Sequence, residues 1–141
     1  MVNDESTLSP ALRSEIEATG ARIREGFPFW LSPFLRSWVA AITLGRTVYL
    51  TREVREWPAE RFELTMRHEL AHVRQVVALG LVRFLARYVS EYIRNRRTGL
   101  DAHAAYFEIS FEREARAAEK SDPEVVSGLA EVSPSRQPDD I

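Results

Sequence analysis

Between Trp57 and Pro123 the apolar residues recur every three or four positions, and no proline interrupts them after Pro58. This spacing is that of helices with one face turned inward. Phe62, Leu64, Met66, Leu70, Val73, Val76 and Val77 predict a helix over 59–79, stopped near Gly80. They lie on more than one side of it, the pattern of a central helix. Leu81, Phe84, Leu85, Tyr88, Val89, Tyr92 and Ile93 predict a second helix over 81–96, followed by a basic connector over 94–99. Ala104, Ala105, Phe107, Phe111, Ala115 and Ala118 predict a third over 101–120.

Upstream the pattern changes. Ser9 and Pro10 read as a helix cap and first helical residue, and Leu12, Ile16 and Ile23 predict a helix over 10–25, continuing through Gly20. Gly26, Pro28 and Pro33 break regular structure, and the aromatics among them predict an irregular segment over 26–35 packed on the core. The β-branched, alternating run over 46–51 predicts a strand, with a shorter one over 40–44 and a turn at Gly45. The fold class expected is therefore α+β, predominantly helical, with a small sheet or hairpin ahead of the helix over 59–79. The expected organisation is one domain over 1–120, frayed at 1–8, and a flexible tail over 121–141 rich in small and polar residues.

Composition narrows the function classes. The 141 residues suit one domain, and 45% hydrophobic with 28% charged residues is the balance of a globular chain. A net charge of -2 supplies no global attraction to nucleic acid or anionic lipid. The absence of cysteine removes disulfides, thiolate metal sites and cysteine nucleophiles together. The acidic start lacks the basic and apolar regions of a secretory signal, and no apolar run approaches the roughly 20 residues of a spanning helix, so a cytoplasmic location is expected.

Chemistry concentrates in Arg67-His68-Glu69-Leu70-Ala71-His72, which holds His-Glu-x-x-His and two of the chain's three histidines. On a helix, residues four apart share a face, so His68 and His72 aim two imidazoles at one point. Two imidazoles are half of a tetrahedral zinc shell, and Glu69 beside them can take a proton from a metal-activated water. A catalytic zinc needs a third protein ligand. Gln75 and Ala78 stand where a metzincin has Gly and His, which removes that class. Glu112, Glu114 and His103, on or at the start of the third predicted helix, are the candidates. Glu112 and Glu114 are two apart, about 200° around a helix, so only one can face the metal. Glu112 is favoured because small Ala115 shares its side and permits close helix approach.

His68-Glu69-Leu70-Ala71-His72 followed by Glu112-x-x-Ala115 resembles the gluzincin type of zinc metallopeptidase. It is most similar to the very small bacterial forms called minigluzincins and to short bacterial metallopeptidases of unknown function, over 42–118. The resemblance implies a zincin-like helical core and one Zn2+ per chain held by His68, His72 and Glu112. It implies hydrolysis of peptide bonds with Glu69 as general base. It also implies a peptide or protein substrate that pairs with an edge strand, for which 46–51 is positioned. Tyr106 is the candidate donor to the oxyanion. In gluzincins an acidic or amide residue often stands four after the third ligand and supports a ligand histidine; here Arg116 stands there, so that support must come from elsewhere.

Two other readings compete. One is a zincin-like metal-binding or protein-interaction module without catalysis, against which stands Glu69, since a purely structural site needs no base. The other is a membrane-surface or nucleic-acid protein using Arg83, Arg87, Arg94, Arg96 and Arg97. Glu91 interrupts that basic stripe, which favours a solvated helix face instead.

Overall fold

The computed structural model describes residues 8–30 and 39–120. The element order is α1 (Pro10–Thr19), β1 (Arg22–Glu25), β2 (Ala41–Leu44), β3 (Thr47–Leu50), a 3-10 turn (Arg52–Glu56), α2 (Ala59–Leu79), α3 (Leu81–Arg97), α4 (Ala102–Phe107) and α5 (Ser110–Glu119). The fold is α+β and predominantly helical, with one three-stranded sheet.

Ser9 caps α1 by accepting from the Leu12 amide at 3.2 Å, and Pro10 occupies the first turn. The helix ends earlier than 25 because Gly20 takes a left-handed conformation, φ 64°, and its amide closes on the Ile16 and Glu17 carbonyls. The chain then enters β1, a strand the helical spacing of Ile23 conceals. Its residues alternate exposed and half-buried, and it pairs parallel with β3 from Arg22–Thr47 to Glu25–Leu50. β2 and β3 form the expected hairpin around Gly45, φ 62°. The sheet order is β1-β3-β2. The strand over 46–51 is thus the central one, flanked on both sides, and is no edge for a substrate. Among the described residues the edge beside α2 is β2.

Two apolar clusters meet at α2. Leu12, Val48, Leu50, Val54, Met66, Leu70 and Val73 join α1 and the sheet to one side of it, and Leu8 packs against them rather than fraying. Val76, Phe84, Ile109 and Phe111 join it to α3 and α5. α2 is central as expected, although Leu64 and Val77 are exposed. The segment after β1 departs from the expected packing: Phe29 is 88% and Trp30 56% exposed, while residues 31–35 and the tail 121–141 lie outside the described residues.

The predicted third helix is two. α4 stops at Phe107, Ile109 turns extended (ψ 134°) to bury its side chain completely, and α5 starts at Ser110. No side chain at the Ile109 cap position serves the open amides of α5. Glu91 of α3 does so across space, accepting from the Ser110 amide at 2.7 Å and the Ser110 hydroxyl at 2.8 Å. Arg87 holds the same carboxylate at 2.9 Å. Burial pushes the Glu91 carboxyl up, but the Ser110 amide, Arg87 and the Ser110 hydroxyl outweigh it and hold it below the usual range. The basic residues after Tyr92 do not form a connector: Arg94, Arg96 and Arg97 lie in the last turn of α3, where they suit the negative end of the helix dipole.

Candidate metal centre

α2 presents His68 and His72 one turn apart toward α5, which returns antiparallel room for Glu112 because Ala115, fully buried, has almost no side chain to hold the helices apart. Two nitrogens and two oxygens from three side chains converge. His68 Nε2 lies 3.1 Å from Glu112 Oε2, His72 Nε2 lies 3.2 Å from Glu112 Oε1, and the two Nε2 atoms are 3.2 Å apart. The edges of a tetrahedron of ligands about 2.0–2.1 Å from a zinc ion are about 3.3 Å, and the two imidazole nitrogens stand about one such edge apart, each with a different Glu112 oxygen at a similar reach.

The tautomers decide what this cluster requires. Glu119 Oε1 lies 2.6 Å from His68 Nδ1, and a carboxylate only accepts, so Nδ1 donates. Gln75 Nε2 faces two acceptors, the Phe111 carbonyl at 3.2 Å and Glu114 Oε2 at 2.9 Å. That fixes the amide with Oε1 toward His72 Nδ1, 2.9 Å away, so this Nδ1 also donates. Both neutral imidazoles then turn the Nε2 lone pair inward, against each other and against the Glu112 carboxylate. Two lone pairs and a carboxylate gathered in a largely buried place are stabilised by a proton or a metal cation between them. His68, His72 and Glu112 are also the group of side chains among the described residues whose ligand atoms could share one metal ion. The donor chemistry, two imidazoles and a carboxylate, suits zinc.

A proton supplies the charge where no metal does, and the acid–base properties follow. Burial pulls the His68 and His72 imidazoles down, but the hydrogen bond and charge of Glu112, with Glu69 adding its charge, raise both above the ordinary value. Glu112 moves the other way: burial pushes it up, and His68, His72 and Tyr88 outweigh that and hold it far below the usual carboxylate range.

Two phenols hold Glu112. The Tyr88 hydroxyl of α3 donates to Oε1 at 2.7 Å, and the Tyr106 hydroxyl of α4 donates to Oε2 at 2.9 Å. Burial and then the Glu112 charge push both phenols up, so they stay protonated and donate. Tyr106 and Glu112 are six residues apart, about 240° around a continuous helix. They meet because the chain breaks at Ile109.

Glu69 projects from the same turn as His68. It is buried, and the Thr43 hydroxyl of β2 lies 2.6 Å from its Oε2. Burial pushes its carboxyl up, and His72, Thr43 and His68 only partly offset this, so its affinity for a proton is raised.

The other sequence candidates sit elsewhere. Glu114 is exposed and holds Gln75. His103 is exposed and stacks on Phe107, ring centroids 6.0 Å apart. Arg116 lies over the Phe107 ring and bonds the Phe107 carbonyl, away from the imidazoles. The support missing at position 116 comes from Glu119, two turns beyond Glu112 on the same face, and from Gln75, one turn beyond His72. Helical spacing contains both signals. Tyr88 and Thr43 carry none, because only the packing of α3 and β2 brings them to α2. Comparison of the chain with protein-family models, with curated proteins and with solved structures found no match.

Proposed function

We propose that the protein is a zinc-dependent hydrolase of peptide bonds, of the small gluzincin type, with His68, His72 and Glu112 holding the ion and Glu69 acting as general base. The observation that carries this reading is the convergence of two imidazoles and a carboxylate on one point with the buried Glu69 carboxylate at its side. A zinc ion there supplies Lewis acidity, which acidifies water towards a pKa of about 7 and polarises a carbonyl.

The chain's own residues supply the rest. Glu69 takes a proton from the attacking water on its carboxylate and passes it to the leaving nitrogen. Its raised affinity for protons brings it closer to the acidity of the water it must deprotonate. The Thr43 hydroxyl fixes one Glu69 oxygen and leaves the other to the proton. Glu119 and Gln75 keep both imidazoles in the Nδ1–H tautomer. Tyr88, the more buried phenol, orients Glu112, while Tyr106, 39% exposed, is the donor that can turn to a developing oxyanion. Through Thr43 the strand beside Glu69 is β2, so an extended substrate would pair with residues 41–44 rather than 46–51.

Two variants test the reading. Purified protein should carry about one zinc per chain, and His72→Ala should lose it by elemental analysis. Glu69→Gln should keep the metal and lower cleavage of a peptide library by at least about 10²-fold. Equal cleavage by wild type and Glu69→Gln would remove the base assignment. Metal retained without cleavage by either protein would leave a binding module in place of an enzyme.

A further inference from the structure

α3 is apolar on two faces. The inner one carries buried Phe84 and half-buried Tyr88 and Tyr92 into the cluster around Phe111. The outer one carries Val82, 81% exposed, with Leu85, Val89 and Ile93, all exposed. These four are three or four residues apart and form one stripe along the helix. Arg83, Arg94 and Arg97 flank it on one side, exposed and without an ion pair among the described residues. Arg96 falls in line with the stripe at the end of the helix, its guanidinium bonded to the Leu100 carbonyl at 3.0 Å. A surface cavity of about 420 Å³ lies where stripe and arginines meet, lined by Ser90, Ile93, Arg94 and Arg97.

In the sequence Glu91 interrupts this basic face. In the structure it does not. The Glu91 side chain is 15% exposed and turned away from Val82, onto Ser110 and Arg87. It is the one acidic residue of α3, so the outer face carries positive charge alone.

We propose that the outer face of α3 docks the protein on an anionic lipid surface. Val82, Leu85, Val89 and Ile93 enter the boundary between headgroups and acyl chains, and Arg83, Arg94 and Arg97 meet the anionic headgroups. No helix among the described residues is long and apolar enough to cross a membrane, so the contact lies along its surface. Charge selects this occupant. A second copy laid face to face would set arginine against arginine with no carboxylate between them, and a nucleic acid would leave the apolar stripe in water. The proposal is independent of the metal chemistry, but the same helix carries Tyr88 to the candidate centre on its inner face.

The test is flotation of the full chain with vesicles of phosphatidylcholine alone or mixed with phosphatidylserine. The protein should float with the mixed vesicles, not with the neutral ones, and detach at high salt. The triple variant Arg83→Gln, Arg94→Gln, Arg97→Gln should lower partition by about 100-fold, since each arginine near an anionic surface contributes roughly fivefold. Val82→Asn with Val89→Asn should lower it by about tenfold or more while leaving the charge unchanged. All five positions are exposed, and circular dichroism verifies that both variants fold. Equal partition on neutral and anionic vesicles, or equal partition of wild type and variants, overturns the proposal. So does a dimer in sedimentation that Val82→Asn with Val89→Asn abolishes while vesicles recruit nothing. Binding to duplex DNA that only the arginine variant loses, again with idle vesicles, overturns it equally.

Discussion

Glu119 shows what one carboxylate can do without touching a reacting group. Its contact with His68 Nδ1 at 2.6 Å decides which imidazole nitrogen carries the proton, and so which lone pair faces Glu112. Glu119→Gln offers an amide that can be turned either way, and it removes the charge that raises the basicity of the ring. Zinc affinity, measured by competition with a chelating dye, should fall by about 10–100-fold, with the fold unchanged by circular dichroism. Gln75 acts on His72 in the same way but is itself fixed by the Phe111 carbonyl and Glu114. The residues that touch the candidate centre were legible from spacing: His68 and His72 one turn apart, and Glu112 on the side of a second helix that carries Ala115. Those that orient the ligands were legible only in part. Glu119 and Gln75 follow from helical geometry once the ligands are chosen, while Tyr88 and Thr43 depend on how separate elements pack.

At the scale of elements, the break between α4 and α5 is the least expected feature and one the site depends on. Alanines and aromatics from Ala104 to Ala118 fit one helical period, so nothing in their spacing announces an interruption. The cause lies in other elements: Ile109 is drawn into the cluster with Val76 and Phe84, and Glu91 waits on α3 to serve the amides thus opened. Glu91→Ala should destabilise the protein by about 0.5–2 kcal/mol in chemical denaturation, the cost of losing a helix cap. An unchanged midpoint would mean that water replaces the carboxylate at no cost. β1 is hidden for a related reason. Four residues, Arg22 to Glu25, with Ile23 as the one apolar side chain, offer too short a pattern to outweigh the preceding helix, and their pairing with β3 is set by register across the sheet. α2 and α3, long and strongly periodic, were legible almost to the residue. What periodicity could not say is that α3 buries one apolar face and leaves the other bare.

For the whole molecule, stability without metal should follow the protonation of the centre. His68 and His72 bind protons more tightly in the folded state, so their contribution is complete below the ordinary imidazole pKa of about 6.5 and is lost as pH rises through their raised values. Glu69, raised as well, works in the same direction. Glu112 is depressed, so its contribution is present above about 4.3 and is lost as pH falls toward its lowered value. The metal-free protein should therefore melt highest between these limits and lower at pH 8. Zinc replaces the missing protons, and its addition should raise the melting temperature more at pH 8 than at pH 6, as read by differential scanning calorimetry. An equal increment at both values would detach the centre's protonation from its stability.

The 39 residues between His72 and Glu112 contain all of α3 and α4, and the sequence has no cysteine with which to tie the ends of that excursion together. An ion held by both would close it as a covalent cross-link does, and closing a loop of about 40 residues limits the unfolded chain by an entropy worth roughly 4 kcal/mol. Such a fastening ignores thiols and reductants entirely. It answers to whatever competes for the ion, so a chelator, and not a change of redox state, would be the agent that frees α5 from α2.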